Sequence, residues 1–135
     1  MIQYKQGVIK MNELIIKKCN KCGALVKILK DCTCDDCSIK CCNEEMKELK
    51  VNSADASFEK HIPTYEIKDG MIYVSVNHVM EEEHLINWIS IVSDNQEVTT
   101  YLEHGEEAKM IAKYIPGSKI YSYCNKHGLW MKEVK

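Results

Sequence analysis

Along the last two-thirds of the chain, apolar and polar positions alternate in short runs separated by turn residues. Met71-Ile72-Tyr73-Val74-Ser75-Val76 follows the turn pair Asp69-Gly70, and Trp88-Ile89-Ser90-Ile91-Val92 precedes Asp94-Asn95. Glu97 to Leu102 comes next, Ala108 to Tyr114 ends at Pro116-Gly117, and Lys119 to Tyr123 runs straight into Cys124. A period of two in runs this short marks strands with one buried face, and turn signals about every 8–12 residues predict a β-sandwich. Earlier in the chain the pattern is sparser. Ala24-Leu25-Val26-Lys27-Ile28-Leu29 reads as one strand flanked by cysteine pairs, and Lys50 to Ser57 is a polar linker. The pattern therefore divides the chain into an extension (1–16), a Cys-rich module (17–49), a linker (50–58) and an all-β domain (59–135). No internal repeat is visible.

Composition sharpens this outline. The chain has 135 residues, of which 45% are hydrophobic, enough for one globular core with a small module attached. A formal net charge of −2 argues against a nucleic-acid partner. No stretch approaches the ~20 apolar residues needed to span a membrane. Leu14-Ile15-Ile16 is too short for a signal-peptide core, so the expected location is cytoplasmic. Residues 1–10 match no motif, and Met11 offers a second start.

Cysteine usage changes the picture more. Seven of the eight cysteines lie between Cys19 and Cys42, including the adjacent pair Cys41-Cys42. That clustering suits bridges between distant elements poorly, so metal ligation in a reducing compartment is the better account. A module of this size is too small to be stable on apolar burial alone, and a metal would supply part of its folding energy. Cys19-x2-Cys22 with Cys34-x2-Cys37 has zinc-ribbon spacing, and an iron–sulfur cluster recruiting Cys32, Cys34 or Cys37 is a further option. Soft thiolates suit iron and zinc equally.

The five histidines are distributed unevenly. Four fall in three short motifs: Glu59-Lys60-His61-Ile62-Pro63, His78 to His84 across Val79-Met80-Glu81-Glu82-Glu83, and Cys124-Asn125-Lys126-His127-Gly128. One histidine alone is usually a satisfied core or surface residue. Four with a cysteine form a donor set too rich in nitrogen for structural zinc, which closes at four ligands. Imidazoles with one thiolate suit iron, and five protein ligands leave a sixth octahedral position for chemistry. His104 fits no motif and reads as a solvated turn residue, and Glu81-Glu82-Glu83 as a solvated face.

At these motifs the chain resembles the superoxide reductases, specifically the two-centre desulfoferrodoxin type. Cys19-Asn20-Lys21-Cys22-Gly23 and Cys41-Cys42-Asn43-Glu44-Glu45-Met46 resemble that family's desulforedoxin-like module. The likeness runs from about residue 17 to 133. It departs from the family in a longer Cys22–Cys41 segment carrying three extra cysteines, and in Val79 where many relatives have proline. The resemblance implies an immunoglobulin-like seven-stranded sandwich. It further implies a mononuclear iron with His61, His78, His84 and His127 equatorial and Cys124 axial, and a second iron (or zinc) on Cys19, Cys22, Cys41 and Cys42. Cys32, Cys34 and Cys37 are then free thiols. The implied reaction is one-electron reduction of superoxide to hydrogen peroxide, with electrons from rubredoxin or a similar donor. Glu59 is implied as the group that can occupy the sixth position at rest, and Lys60 as an aid to superoxide binding. Relatives imply a homodimer or tetramer. Two rival readings are a non-enzymatic iron electron carrier and a zinc-stabilised interaction module. The first would not consume superoxide, and the second would be colourless and redox-silent.

Overall fold

The computed structural model describes residues 13–35, 38–54 and 60–135. Glu59, Cys37, the N-terminal extension up to residue 12 and the end of the linker lie outside the described residues. The described residues divide into two units, Leu14–Val51 and Asn52–Lys135, the latter taking in Glu13. Among the described residues the named elements are all strands.

The first unit contains β1 (Ile16–Lys18), β2 (Leu25–Lys27), β3 (Lys40–Cys41), β4 (Glu44–Glu45) and β5 (Lys47–Glu48). They form a three-stranded sheet of order β2-β1-β5 and a separate β3-β4 pair. Its buried apolar side chains are Ile16, Cys19 and Met46. Among the described residues, so small a core offsets little of the chain entropy of ordering the unit.

The second unit continues with β6 (Thr64–Lys68), β7 (Met71–Ser75), β8 (Ile86–Val92), β9 (Glu97–Tyr101), β10 (Lys109–Lys113), β11 (Lys119–Cys124) and β12 (Gly128–Glu133). One sheet has the order β10-β7-β6, the other β12-β11-β8-β9, and every pairing is antiparallel. These seven strands are the sandwich that the alternation predicts. In β7, Ile72 and Val74 are buried while Tyr73 between them is exposed; in β10, Met110 and Ala112 are buried while Ile111 is exposed. These inward residues join Ile89, Ile91 and Ile120 from the second sheet in one core. The Asp69-Gly70 turn works as read, since both residues have positive φ (54° and 78°), the geometry of a two-residue hairpin.

Strands β1, β3, β4, β5, β6 and β12 are additions to the sequence reading. β6 is an edge strand whose residues are mostly exposed, so its pattern carries little burial signal. β12 begins at Gly128, inside the motif that reads as a ligand turn. The register between β8 and β11 slips between Tyr123 and Cys124, so that Cys124 faces Ile86. A bulge of this kind bends the strand and re-aims the side chain beside it, here a cysteine with no exposed surface.

Candidate metal centre

The strand order brings five ligand-type residues to one end of the sandwich. His61 enters just before β6, His78 leaves just after β7, and His84 stands two residues before β8. Cys124 ends β11, and His127 lies in the turn that leads to β12. Gly128 closes this turn at φ 85°, a conformation that a side chain would strain. One donor atom from each of the five lies within 4.8 Å of every other.

The four imidazoles form a closed square. Ring centroids are 4.7 Å apart for His61–His78, 4.7 Å for His78–His84, 5.2 Å for His84–His127 and 4.9 Å for His127–His61. Neighbouring planes meet at 69° to 87°. Cys124 Sγ stands 3.4 Å from His78 Nε2 and 3.7 Å from His127 Nδ1, which occupy opposite corners. The sulfur thus stands against both ends of one diagonal of the square.

These spacings fit one ion. Two nitrogens at right angles, each about 2.1 Å from a metal, stand about 3.0 Å apart. His61 Nε2 and His127 Nδ1 are 3.1 Å apart. His84 Nε2 is buried with no hydrogen-bond partner, a lone pair that needs an acceptor of electrons. Burial, ahead of the neighbouring imidazoles, lowers the His78 and His84 pKa values, and Lys126 adds to the effect at His84. Both rings are thereby kept neutral, the form that binds metal.

Three further side chains hold the donors in place. Ser122 Oγ, fully buried, donates to the His61 carbonyl at 3.0 Å. Trp130, also fully buried, stacks on His61 at 4.8 Å and donates from Nε1 to the His127 carbonyl at 3.1 Å. Asn125 bonds to the backbone on both sides of His84. Ser122 and Asn125 are polar residues inside or beside a strand motif, and nothing in a single sequence separates such residues from ordinary ones. Lys60 is exposed beside His61, Glu59 lies outside the described residues, and Trp88 stacks on Tyr123 away from the square. His104 is exposed, 3.9 Å from Glu82.

The first unit gathers Cys19, Cys22, Cys41 and Cys42 into a second cluster and leaves Cys34 outside it. Cys19 follows β1, and its carbonyl accepts the Gly23 N–H at 2.9 Å, which folds Cys22 back toward it. Cys42 and Asn43 both take positive φ (56° and 63°) in the two-residue turn between β3 and β4. A non-glycine residue there costs about 1–2 kcal/mol, but the turn lets two adjacent cysteines face one point. The sulfurs of Cys22 and Cys41 are 3.6 Å apart, and those of Cys41 and Cys42 3.9 Å. A tetrahedral ion about 2.3 Å from four sulfurs would separate them by about 3.8 Å. Backbone N–H groups of Cys22 and Lys21 draw the Cys19 thiol down to about 7, while the neighbouring sulfurs, Cys22 first, push Cys41 up to about 12. Four thiolates cannot share this space without a cation.

One expectation is corrected. Cys32 is disulfide-bonded and is not a free thiol, whereas Cys34 is free and exposed. The Asp31 carboxylate accepts the Cys32 N–H at 2.9 Å.

Comparison with known proteins agrees with this geometry. A desulfoferrodoxin from Syntrophotalea carbinolica is 36% identical over 125 residues, covering 90% of this chain and 97% of that protein. A desulfoferrodoxin from Nitratidesulfovibrio vulgaris is 36% identical over 130 residues, with 91% and 98% covered. The crystal structure of the superoxide reductase from Treponema pallidum superposes with a TM-score of 0.67 at 25% identity, over 89% of this chain and 98% of that one. The family model for desulfoferrodoxin matches residues 53–133, the span that carries all five donors of the sandwich site. The chain belongs to the desulfoferrodoxin family.

Proposed function

We propose that this protein is a superoxide reductase whose His61, His78, His84, His127 and Cys124 hold one iron ion. The observation that carries this reading is the closed square of four imidazoles with a cysteine sulfur against two of its opposite corners. Iron bound there would supply the single electron that converts superoxide, with two protons, to hydrogen peroxide. The protein's own contribution is arrangement and access. Cys124 is fully buried, whereas His78, His84 and His127 are partly exposed, so an anion approaches from the side away from the sulfur. Protons come from water on that exposed side. Four neutral imidazoles and one thiolate leave a ferrous site with net positive charge, which favours a small anion. A zinc-stabilised interaction module would not need a fifth donor. Electrons come from a small redox protein such as rubredoxin, and Cys19, Cys22, Cys41 and Cys42 hold a second iron or a zinc.

Local positive charge supports the approach of the anion, because the chain as a whole carries −2. Lys60, exposed beside His61, is the proposed steering residue, and focusing by such a charge is weakened by salt. Lys60→Ala should slow the bimolecular reaction with superoxide about tenfold, or about 1.4 kcal/mol, and flatten its ionic-strength dependence at unchanged iron content. Pulse radiolysis across a salt series checks this, and equal rates at low salt would remove Lys60 from the role.

The two clusters belong to different units, so they should fail separately. Cys41→Ser should lose metal from the first unit while pre-reduced protein still consumes superoxide at close to the wild-type rate. Stopped-flow traces that lose both together would contradict this separation. The direct test of the proposed function is superoxide consumption by the reduced, iron-loaded protein, with peroxide as the product.

A further inference from the structure

Each donor of the imidazole square needs a device that fixes its direction, and His84 is the hardest to account for. It sits at the end of an exposed acidic turn, where Glu81 and His84 exchange backbone hydrogen bonds of 2.9 and 3.1 Å. That turn belongs to the approach to β8, whereas Cys124 and His127 belong to the β11–β12 hairpin. Asn125 joins the two. Its Oδ1 accepts the Leu85 N–H at 3.0 Å, and its Nδ2 donates to the Glu83 carbonyl at 2.9 Å. Its own N–H donates to the Leu85 carbonyl at 3.2 Å. The Glu83 carbonyl and the Leu85 N–H belong to the two peptide groups on either side of His84. One carboxamide therefore grips both.

We propose that Asn125 is a positioning residue of the metal site, setting the place of His84 in the imidazole square by clamping the two peptide groups that flank it. The inference rests on the reading that the five donors hold one metal, and it names the part that completes the set. The chemistry of the side chain is specific. A carboxamide has one acceptor and one donor head, matching one N–H and one carbonyl. A carboxylate would accept from Leu85 but would set a second oxygen against the Glu83 carbonyl. A leucine of similar shape would leave both groups unpaired. Analogous devices for two other donors are already visible: Ser122 on the His61 carbonyl and Trp130 on the His127 carbonyl. Outer groups that orient a metal-binding histidine typically change metal affinity by about 10–100-fold when removed.

The test uses the full chain loaded with ferrous iron and then oxidised, comparing Asn125→Leu, Asn125→Asp and His84→Ala with wild type. The readouts are the electron paramagnetic resonance signal of the oxidised five-donor site and the loss of its sulfur-to-iron band to a competing chelator. Asn125→Leu should weaken iron retention by about 10–100-fold and move the resonance signal toward that of His84→Ala, while the sulfur-to-iron band itself persists. Asn125→Asp keeps the bond to Leu85 and so guards against a variant that fails to fold; it should shift the signal in the same direction. Wild-type signal and retention in Asn125→Leu or in a folded Asn125→Asp would overturn the positioning role. Wild-type behaviour in His84→Ala as well would overturn the five-donor reading on which it rests.

Discussion

Cys124→Ser should abolish the red sulfur-to-iron charge-transfer band of the oxidised protein and leave the spectrum of the first unit intact. Cys124 has no exposed surface, and its sulfur lies 3.4 and 3.7 Å from nitrogens at opposite corners of the imidazole square. A serine hydroxyl keeps the approximate shape but is not ionised at neutral pH, so it donates far less electron density. Superoxide reduction should fall by about 100-fold, equivalent to about 2.7 kcal/mol of barrier. Visible spectroscopy and pulse radiolysis on the same sample check both parts. A band that survives the substitution would mean that this sulfur does not touch the metal.

Trp130→Ala should be the most damaging single change to the stability of the sandwich. The side chain is fully buried, stacks on His61 at 4.8 Å and donates to the His127 carbonyl at 3.1 Å. Truncating a buried tryptophan costs about 3–5 kcal/mol through lost burial and the cavity left behind. For a domain of this size each 1 kcal/mol moves the melting temperature by about 4–8 °C, so a drop on the order of 15–30 °C is expected. Trp130→Phe keeps a ring beneath His61 and loses only the N–H bond, which should cost about 1–3 kcal/mol because the His127 carbonyl is left unpaired. Thermal unfolding of the apoprotein separates stability from metal binding. A loss below about 1 kcal/mol in Trp130→Ala would show that the stack is dispensable.

Much of this architecture was legible from the residues. Alternation marked β7 and β10 because each has one buried and one solvated face, as at Ile72-Tyr73-Val74. The positive φ values at Asp69 and Gly70 confirm what the Asp-Gly pair announces. The donors of the proposed site were legible for a different reason: four of the five histidines, with the one cysteine beyond residue 42, fall in three short motifs. β6 escaped notice because an exposed edge strand has no core face to reveal it. Ser122 and Asn125 escaped assignment because their roles depend on partners 61 and 40 residues away along the chain, which only the fold brings together. The adjacent cysteines were legible as a motif, but not the left-handed turn at Cys42 and Asn43 that allows both sulfurs to face one point.

The central claim is that the five-donor site reduces superoxide without also oxidising it. The most direct measurement mixes anaerobically reduced, iron-loaded protein with a substoichiometric pulse of superoxide and quantifies peroxide and dioxygen together. The account predicts one peroxide for each superoxide consumed, loss of one electron from the site per event, and no dioxygen released. Release of dioxygen in equal amount to peroxide, or superoxide decay no faster than in buffer, would contradict it.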